Sequence, residues 1–319
     1  MKAKRFFSNP IIFPHMDKRM GQNINGPDVI RVPDWCENKL GVYYLYFSDH
    51  KGTYIRMAFS DKLTGPWRMY TPGILELEDS HFISMDPPEP PKESRPPWAK
   101  KMKGGYLYAH IASPDVHIDK KTKSFRMYYH GLLKNGDQVT RVAVSKDGLN
   151  FKAKKTILGP PYFRVFEFQE FVYALTWGGE IWRSNMWDSP FEKGPKILPY
   201  EPKEGIGEGF RHGDVFLRNN ILFIFYTNIG DKPESIYFTS LELTKDWRDW
   251  TTKKSKKILE PLLSWEGSDL NLTKSVMGAV QGRVRELRDP FVFEDNDNQL
   301  YLLYCGAGES GIGIVKLKH

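Results

Sequence analysis

GPDVIRV (26–32), YYLYFS (43–48), YIRMAFS (54–60) and DKLTGPW (61–67) follow one another near the start of the chain. Val, Ile, Tyr and Phe dominate the first three runs, and turn residues bound them, which predicts short strands rather than helices. The same order returns as SPDVHID (113–119), FRMYYHG (125–131), TRVAVS (140–145) and KDGLNF (146–151). A third copy reads YFRVFEF (162–168), FVYALTW (171–177), EIWRS (180–184) and DSPF (188–191). The fourth reads RHGDVFL (211–217), ILFIFYT (221–227), SIYFTSLEL (235–243) and DWRDW (246–250). The fifth, RDPFVFED (288–295), QLYLLYCG (299–306) and GIGIVKL (311–317), has three strands only.

A repeat of four short strands cannot bury both faces of its sheet alone. Arranging the copies radially covers the faces and leaves only short edges. The expected fold is therefore all-β: one domain spanning residues 1–319, a five-bladed β-propeller. The segment around Arg5–Phe13 is expected to supply the missing strand of the last blade and so to close the ring.

Two long connections interrupt the pattern. Residues 79–105 carry DPPEPPKESRPPW, too rich in proline for regular structure, and residues 252–285 form the second. Both are expected to build a rim over the axis, with one short helix near SWEGSDLNL (264–272). The turn SKDGLNF (145–151) resembles the Asp-box of sialidases, and its Asp147 is read as a turn cap.

The 319 residues are 40% hydrophobic and 14% aromatic, ample for a core. The net charge of +7 is scattered, and its densest cluster, Lys253–Lys257, reads as a solvated turn, so no nucleic-acid partner is expected. Cys36 and Cys305 form no disulfide framework or metal spacing, and Cys305 in YLLYC reads as a buried thiol. MKAKRFFSNPIIF has no apolar run long enough for a secretory leader, and nothing approaches a membrane span. A cytoplasmic protein with no membrane partner, monomeric or dimeric, is expected.

In a propeller the innermost strands begin around one axis, so their first residues become neighbours. Those positions hold Asp28, Asp115, the Phe163–Arg164 pair, His212 with Asp214, and Arg288–Asp289. Carboxylates brought together raise one another's pKa at a cost in stability, a pattern suited to acid–base work on a substrate. A purely structural ring, capping turns or holding a central water or cation, is the alternative. His110, in HIASPDV, is placed to reach a substrate hydroxyl, whereas His117 and His130 are expected to pack within the second blade. Trp177, Trp182 and Trp187 are candidates for stacking on a substrate ring, with core packing their more ordinary role.

GPDVIRV before YYLYFS, SPDVHID before FRMYYHG, and RDPFVFED before YLLYCG resemble the inner-strand motifs of five-bladed glycoside hydrolases. Families 43 and 117 are the nearest in pattern, within a group that includes families 32, 62, 68 and 130. The resemblance implies a glycosidase, inverting as in family 43, acting on a short oligosaccharide or glycoside. Family 43 uses an Asp base, a second Asp that tunes and orients, and a Glu acid. Carried over by position, Asp28 is the base and Asp115 the orienting carboxylate. The family's Asp-Pro motif matches Asp289-Pro290 better, which makes Asp289 the alternative base. Where the family has Glu-Gly-Pro, this chain has Leu158-Gly159-Pro160. Family 117, in which a His takes the acid role, points to His212, with Glu167 and Glu208 as other candidates. His110, Arg164, Asp214 and Arg288 complete the expected substrate contacts. Arg164, Arg211 and Arg288 are candidates for a phosphate pocket, which keeps a glycoside phosphorylase open. Loss of the Glu keeps a catalytically inactive carbohydrate-binding propeller open. No cofactor is required, and a central Ca²⁺, as in some family 43 relatives, is left open.

Overall fold

The computed structural model describes residues 1–95, 99–100, 106–203, 206–280 and 282–318. Five antiparallel sheets carry the chain, one for each sequence repeat. Blade I comprises Asn25–Arg31, Tyr43–Ser48, Tyr54–Ser60 and Arg68–Glu76, in that order outward. Blade II comprises Ile111–Asp119, Ser124–Leu132, Gln138–Ser145 and Lys152–Ala153. Blade III comprises Arg164–Phe168, Phe171–Thr176, Glu180–Ser184 and Glu192–Lys196. Blade IV comprises Ile206–Arg218, Ile221–Ile229, Ile236–Glu242 and Lys256–Leu259, and Tyr200–Lys203 adds a hairpin to its first strand. Blade V comprises Arg288–Glu294, Leu300–Cys305, Ile312–Lys318 and, from the far end of the chain, Lys2–Arg5. No helix among the described residues is long and apolar enough to cross a membrane.

The period-two patterning buries both faces of each sheet against its neighbours. The core is accordingly five apolar layers between blades. Tyr44, Tyr46 and Ile55 of blade I meet Phe125, Met127 and Tyr129 of blade II. Tyr128 and Val142 of blade II meet Phe163 and Ala174 of blade III. Phe166 and Leu175 meet Leu222 and Ile224, Phe225 meets Leu302 and Val315, and Leu303 and Ile314 meet Leu45 and Ala58. Cys36 and Cys305 are both buried free thiols.

The ring closes through the N-terminus. Lys2 to Arg5 pair with Lys318 to Val315. The strand is shorter than the Arg5–Phe13 expected and lies earlier, because Pro10 has no N–H for a ladder. Asn9 instead clamps the neighbouring strand, its Nδ2 donating to Ile314 O at 2.8 Å and its Oδ1 accepting from Ile314 N at 2.9 Å. The Arg5 guanidinium adds a two-pronged contact to Glu266, at 2.7 and 2.9 Å. Deleting residues 1–9 removes these bonds, each worth about 1 kcal/mol, and is expected to lower the melting temperature by roughly 5 °C. Calorimetry checks this; an unchanged midpoint would mean that three strands suffice for blade V.

The 252–285 connection is not all loop. Ile258 and Leu259 give it enough apolar character to pair Leu259 with Ile236, which makes Lys256–Leu259 the outer strand of blade IV. The expected short helix is a single 3-10 turn, Ser264–Glu266. Farther on, this segment covers the axial end, where Val276 O and Gly278 O accept from Arg211 and Arg288. Within the 79–105 connection, Lys92–Ser94 forms another 3-10 turn, and residues 96–98 and 101–105 lie outside the described residues.

Candidate functional site

Four of the five inner strands begin with a bulge. Register shifts fall between Asn25 and Asp28, Ala112 and Asp115, Phe210 and Gly213, and Arg288 and Phe291. Gly26, Ser113, Tyr162 and Asp289 take positive φ there, between 46° and 66°. Such bulges re-aim side chains. Gly26 also packs so closely that a Cβ on it would sit 3.0 Å from Ser113 Cα.

Aligning the strands on Val29, Val116, Val165, Val215 and Val292 separates what the sequence suggested was one ring. One layer holds Asp28, Asp115, Arg164, Asp214 and Phe291. The other, two residues nearer the strand starts and so closer to the axial mouth, holds Gly26, Ser113, Tyr162, His212 and Asp289. Asp289 is thus not the counterpart of Asp28. The reason is Asp-Pro-Phe-Val, which puts its acid two residues earlier than Pro-Asp-Val does.

The deeper layer ties blades together. Asp28 Oδ2 accepts from Val116 N at 2.7 Å, Asp115 Oδ2 from Val165 N at 2.9 Å, and Asp214 Oδ2 from Val292 N at 2.7 Å. Each carboxylate therefore holds an amide of an adjacent blade's inner strand. All three are buried, and Asp28 Oδ1 is buried with no partner. Arg164 lies among them, 3.9 Å from Asp115 and bonded to Pro114 O at 2.8 Å. Asp115 Oδ2 also accepts from His117 Nε2 at 2.9 Å, so His117 serves this layer as well. Burial and the charge of Asp115 push the Asp28 carboxyl well up. Burial, only partly offset by Arg164, pushes Asp214 up to about 7.

Asp214 therefore holds its proton to higher pH when folded than when unfolded. Between its unfolded value near 4 and about 7 the folded state binds more protons, so stability falls as pH rises. Asp214→Asn abolishes this dependence. Its stability relative to the parent chain is expected to improve by on the order of 1–2 kcal/mol between pH 5 and pH 8. Urea denaturation at the two pH values measures it, and a constant difference would contradict the assignment.

The outer layer is where polar groups remain open. His212 Nδ1 donates to Asp289 Oδ1, and the Tyr162 ring stacks on the imidazole at 4.3 Å, 8° from parallel. His212 Nε2 makes no hydrogen bond among the described residues, and the side chain is 16% exposed. Burial raises the Asp289 carboxyl, but the adjacent imidazole more than offsets it and leaves it below the usual range.

A second pair of the same kind stands close by. His50 Nδ1 donates to Glu309 Oε1 at 3.1 Å, and Glu309 also accepts from Arg288 Nη1 at 3.0 Å and from Asn23 Nδ2 at 2.5 Å. Burial opposes charge on Glu309, but His50, Arg288 and Asn23 outweigh it and hold it far below the ordinary range. Beside this pair, His110 Nδ1 donates to Tyr108 O at 2.8 Å, and its ring lies 5.6 Å from that of His130. Burial pulls His110 down to about 4 and His130 well below its ordinary value, the latter helped by the proximity of His110, His212 and His50. Both rings are neutral near pH 7. His130, expected to pack within its blade, instead sits among the mouth histidines with Nδ1 buried and unpartnered.

The remaining candidates lie elsewhere or are already engaged. Glu167 is an exposed residue near the far end of its strand, 3.7 Å from Arg126, because the chain direction carries it away from the mouth. Glu208 pairs with Lys274 at 2.6 Å on the rim. Arg211 is bound to Glu234 at 2.8 Å and Arg288 to Glu286 at 2.6 Å, so both guanidinium groups are neutralised. Leu158 is buried between blades II and III. Trp177 packs on Tyr200, Trp182 joins the same apolar layer as Leu158, and Trp187 has Arg126 and Lys154 over its ring. Asp147 caps its turn, accepting from Leu149 N and Asn150 N, both at 2.9 Å.

The deeper carboxylates already surround the Arg164 guanidinium, and no group of three or more His, Cys, Asp or Glu among the described residues is arranged to hold a metal ion.

His50, Glu309 and His130 were not singled out for the site from the sequence. Each lies in or beside a turn joining the second and third strands of its blade, at DHKG, GAGES and HGLLKNGD. Those turns return to the end where the inner strands start, which is the signal that could have found them.

No family model matches the chain. An uncharacterized protein of Acanthamoeba polyphaga mimivirus is 33% identical over 313 residues, spanning 92% of this chain and 83% of that one. The chain belongs to the same family as this viral protein. Among solved structures, a putative glycoside hydrolase from Bacteroides ovatus superimposes with a TM-score of 0.61 at 11% identity, over 100% of this chain and 97% of that one. A family 43 β-xylosidase/α-arabinofuranosidase from a compost microbial metagenome gives 0.59 at 13%, over 99% and 96%. An N-acetylgalactosamine deacetylase from F. plautii gives 0.58 at 10%, over 99% and 95%. The viral relative and this chain thus share a family, and the solved structures show that the five-bladed propeller is the fold of family 43 glycoside hydrolases. The deacetylase shows that this scaffold also serves other chemistry.

Proposed function

We propose that this chain is a glycoside hydrolase of the inverting type, acting on a short oligosaccharide or glycoside at the axial mouth. The observation that carries this reading is the His212–Asp289 pair, with Nε2 open and the ring held by Tyr162. A carboxylate on Nδ1 fixes the imidazole orientation and tautomer, and Nε2 is then the atom that exchanges a proton with substrate. In this reading His212 Nε2 gives its proton to the leaving glycosidic oxygen as the bond to the anomeric carbon breaks. Water adds to that carbon, and His50 Nε2, backed by Glu309, takes the proton from the water. The catalytic assignment thereby moves from Asp28 and Asp115, whose oxygens hold neighbouring amides, to the two histidine–carboxylate pairs. Phosphorolysis loses support, because Arg164, Arg211 and Arg288 all face carboxylates.

A screen of aryl glycosides and of marine and plant oligosaccharides, with His212→Asn and His50→Asn beside the parent chain, tests the proposal. Turnover that falls in both variants with the fold intact supports it. A second reading, a sugar-binding propeller without hydrolysis, is favoured by Leu158 occupying the place of the family acid. Sugar binding without turnover across the whole panel would establish that reading and end the first.

A further inference from the structure

Five arginines of this chain are buried: Arg56, Arg141, Arg164, Arg211 and Arg288. Four face a carboxylate. Arg56 lies 3.2 Å from Asp49, Arg164 3.9 Å from Asp115, Arg211 2.8 Å from Glu234 and Arg288 2.6 Å from Glu286. Arg141 faces none. It is 7% exposed, and its Nε and Nη1 are buried with no hydrogen-bond partner. It makes no ion pair among the described residues, and the stretches 96–98 and 101–105, PPW and KMKGG, contain no acid that could supply one. A guanidinium stays charged throughout the neutral range, so this side chain cannot escape its position by losing a proton. A buried charge without a counter-ion is costly, and an ion from outside would relieve that cost.

The surroundings are built rather than accidental. Arg141 lies on the third strand of blade II, in register with Tyr129, on the face turned toward blade I. The Phe82 ring lies 5.0 Å from the guanidinium carbon, and it also packs edge-on against Tyr129 at 5.7 Å. Tyr129 OH donates to Ser80 O at 2.8 Å, which fixes the segment carrying Phe82. Gly131 makes room for it, since a Cβ there would come within 2.5 Å of the Phe82 ring. Phe82 opens the proline-rich connection between blades I and II. The guanidinium is thus held by an aromatic ring on one side, with its donors unspent.

We propose that Arg141 anchors an anion site at the seam between blades I and II, taking a small oxyanion whose two oxygens meet the planar fork of the guanidinium. A carboxylate and a phosphate share this chemistry. The site lies on the third strand rather than at the axial mouth, and it stands independently of the hydrolase reading.

The test is thermal unfolding of the parent chain and Arg141→Met in a sulfonate buffer, titrated at constant ionic strength with sodium acetate or sodium phosphate. The parent is expected to gain about 2–4 °C in a saturable manner with at least one anion, and the variant to show only the shallow, non-saturating drift of general salt effects. Saturation with acetate identifies a carboxylate ligand and saturation with phosphate a phosphate ligand. In the absence of either anion, Arg141→Met is expected to melt no lower than the parent, because an apolar chain replaces an uncompensated charge. A variant that melts well below the parent, or a parent that responds no differently from the variant, overturns the proposal and makes Arg141 a packing residue for Phe82. Arg141→Gln, which keeps polarity without charge, carries the same comparison should the Met variant fail to fold.

Discussion

Arg164→Met is expected to lose roughly 3–5 kcal/mol of stability at pH 8, and visibly less at pH 5. The guanidinium is buried in a layer that also buries Asp28, Asp115 and Asp214, and it is the cation of that layer. Removing it leaves three carboxyl groups held by backbone amides, with His117 in addition on Asp115. Breaking a buried pair by deleting one partner costs far more than the pair itself contributes, because the surviving charges stay desolvated. At pH 5 the orphaned carboxyls take up protons and the penalty shrinks. A drop in melting temperature of roughly 5–15 °C at pH 8 corresponds to this loss. Stability within about 1 kcal/mol of the parent, or a loss equal at both pH values, would show that the aspartates are held by their amide bonds alone.

His212→Asn is expected to lower kcat on any glycoside that the parent chain turns over by about 10²–10⁴, the usual worth of a positioned acid–base group. Asp289→Asn should approach the same loss while leaving the imidazole in place, because the Asn side chain no longer stabilises the charged ring or its tautomer. Asp28→Asn behaves differently. Its effect should appear in thermal stability, where Val116 loses its carboxyl acceptor, and far less in turnover. Nitrogen NMR of the histidines gives a readout that needs no substrate: the Nδ1-bound proton of His212 should lose its downfield shift in Asp289→Asn. Equal turnover in His212→Asn and the parent would remove this residue from the chemistry.

The five-bladed architecture was legible because strand repeats set by aromatic and β-branched residues leave a period that survives sequence drift. The outer strand of blade IV was missed because KKSKKIL shows only two apolar residues, and pairing with Ile236 decides its state. At the axis, the single ring expected from the sequence divides into two layers, because Asp-Pro-Phe-Val sets its acid two residues earlier than Pro-Asp-Val does, which puts Asp289 with His212 and Asp28 with Arg164. An Arg where other repeats carry Asp was the available signal that the deeper ring supplies its own counter-ion. His50 and Glu309 were out of reach for inference confined to inner strands, since turns 259 residues apart bring them together.

The strand Lys2–Arg5 completes a sheet whose other members begin at Arg288. During synthesis at 5–20 residues per second, this strand waits roughly 15–60 s for the partner made some 310 residues after it. An unpaired edge that lingers so long invites pairing with other nascent chains. Lys2, Lys4 and Arg5 give that waiting edge a repulsive positive charge, so a segment that ends as a clasp begins as a self-shielded tail.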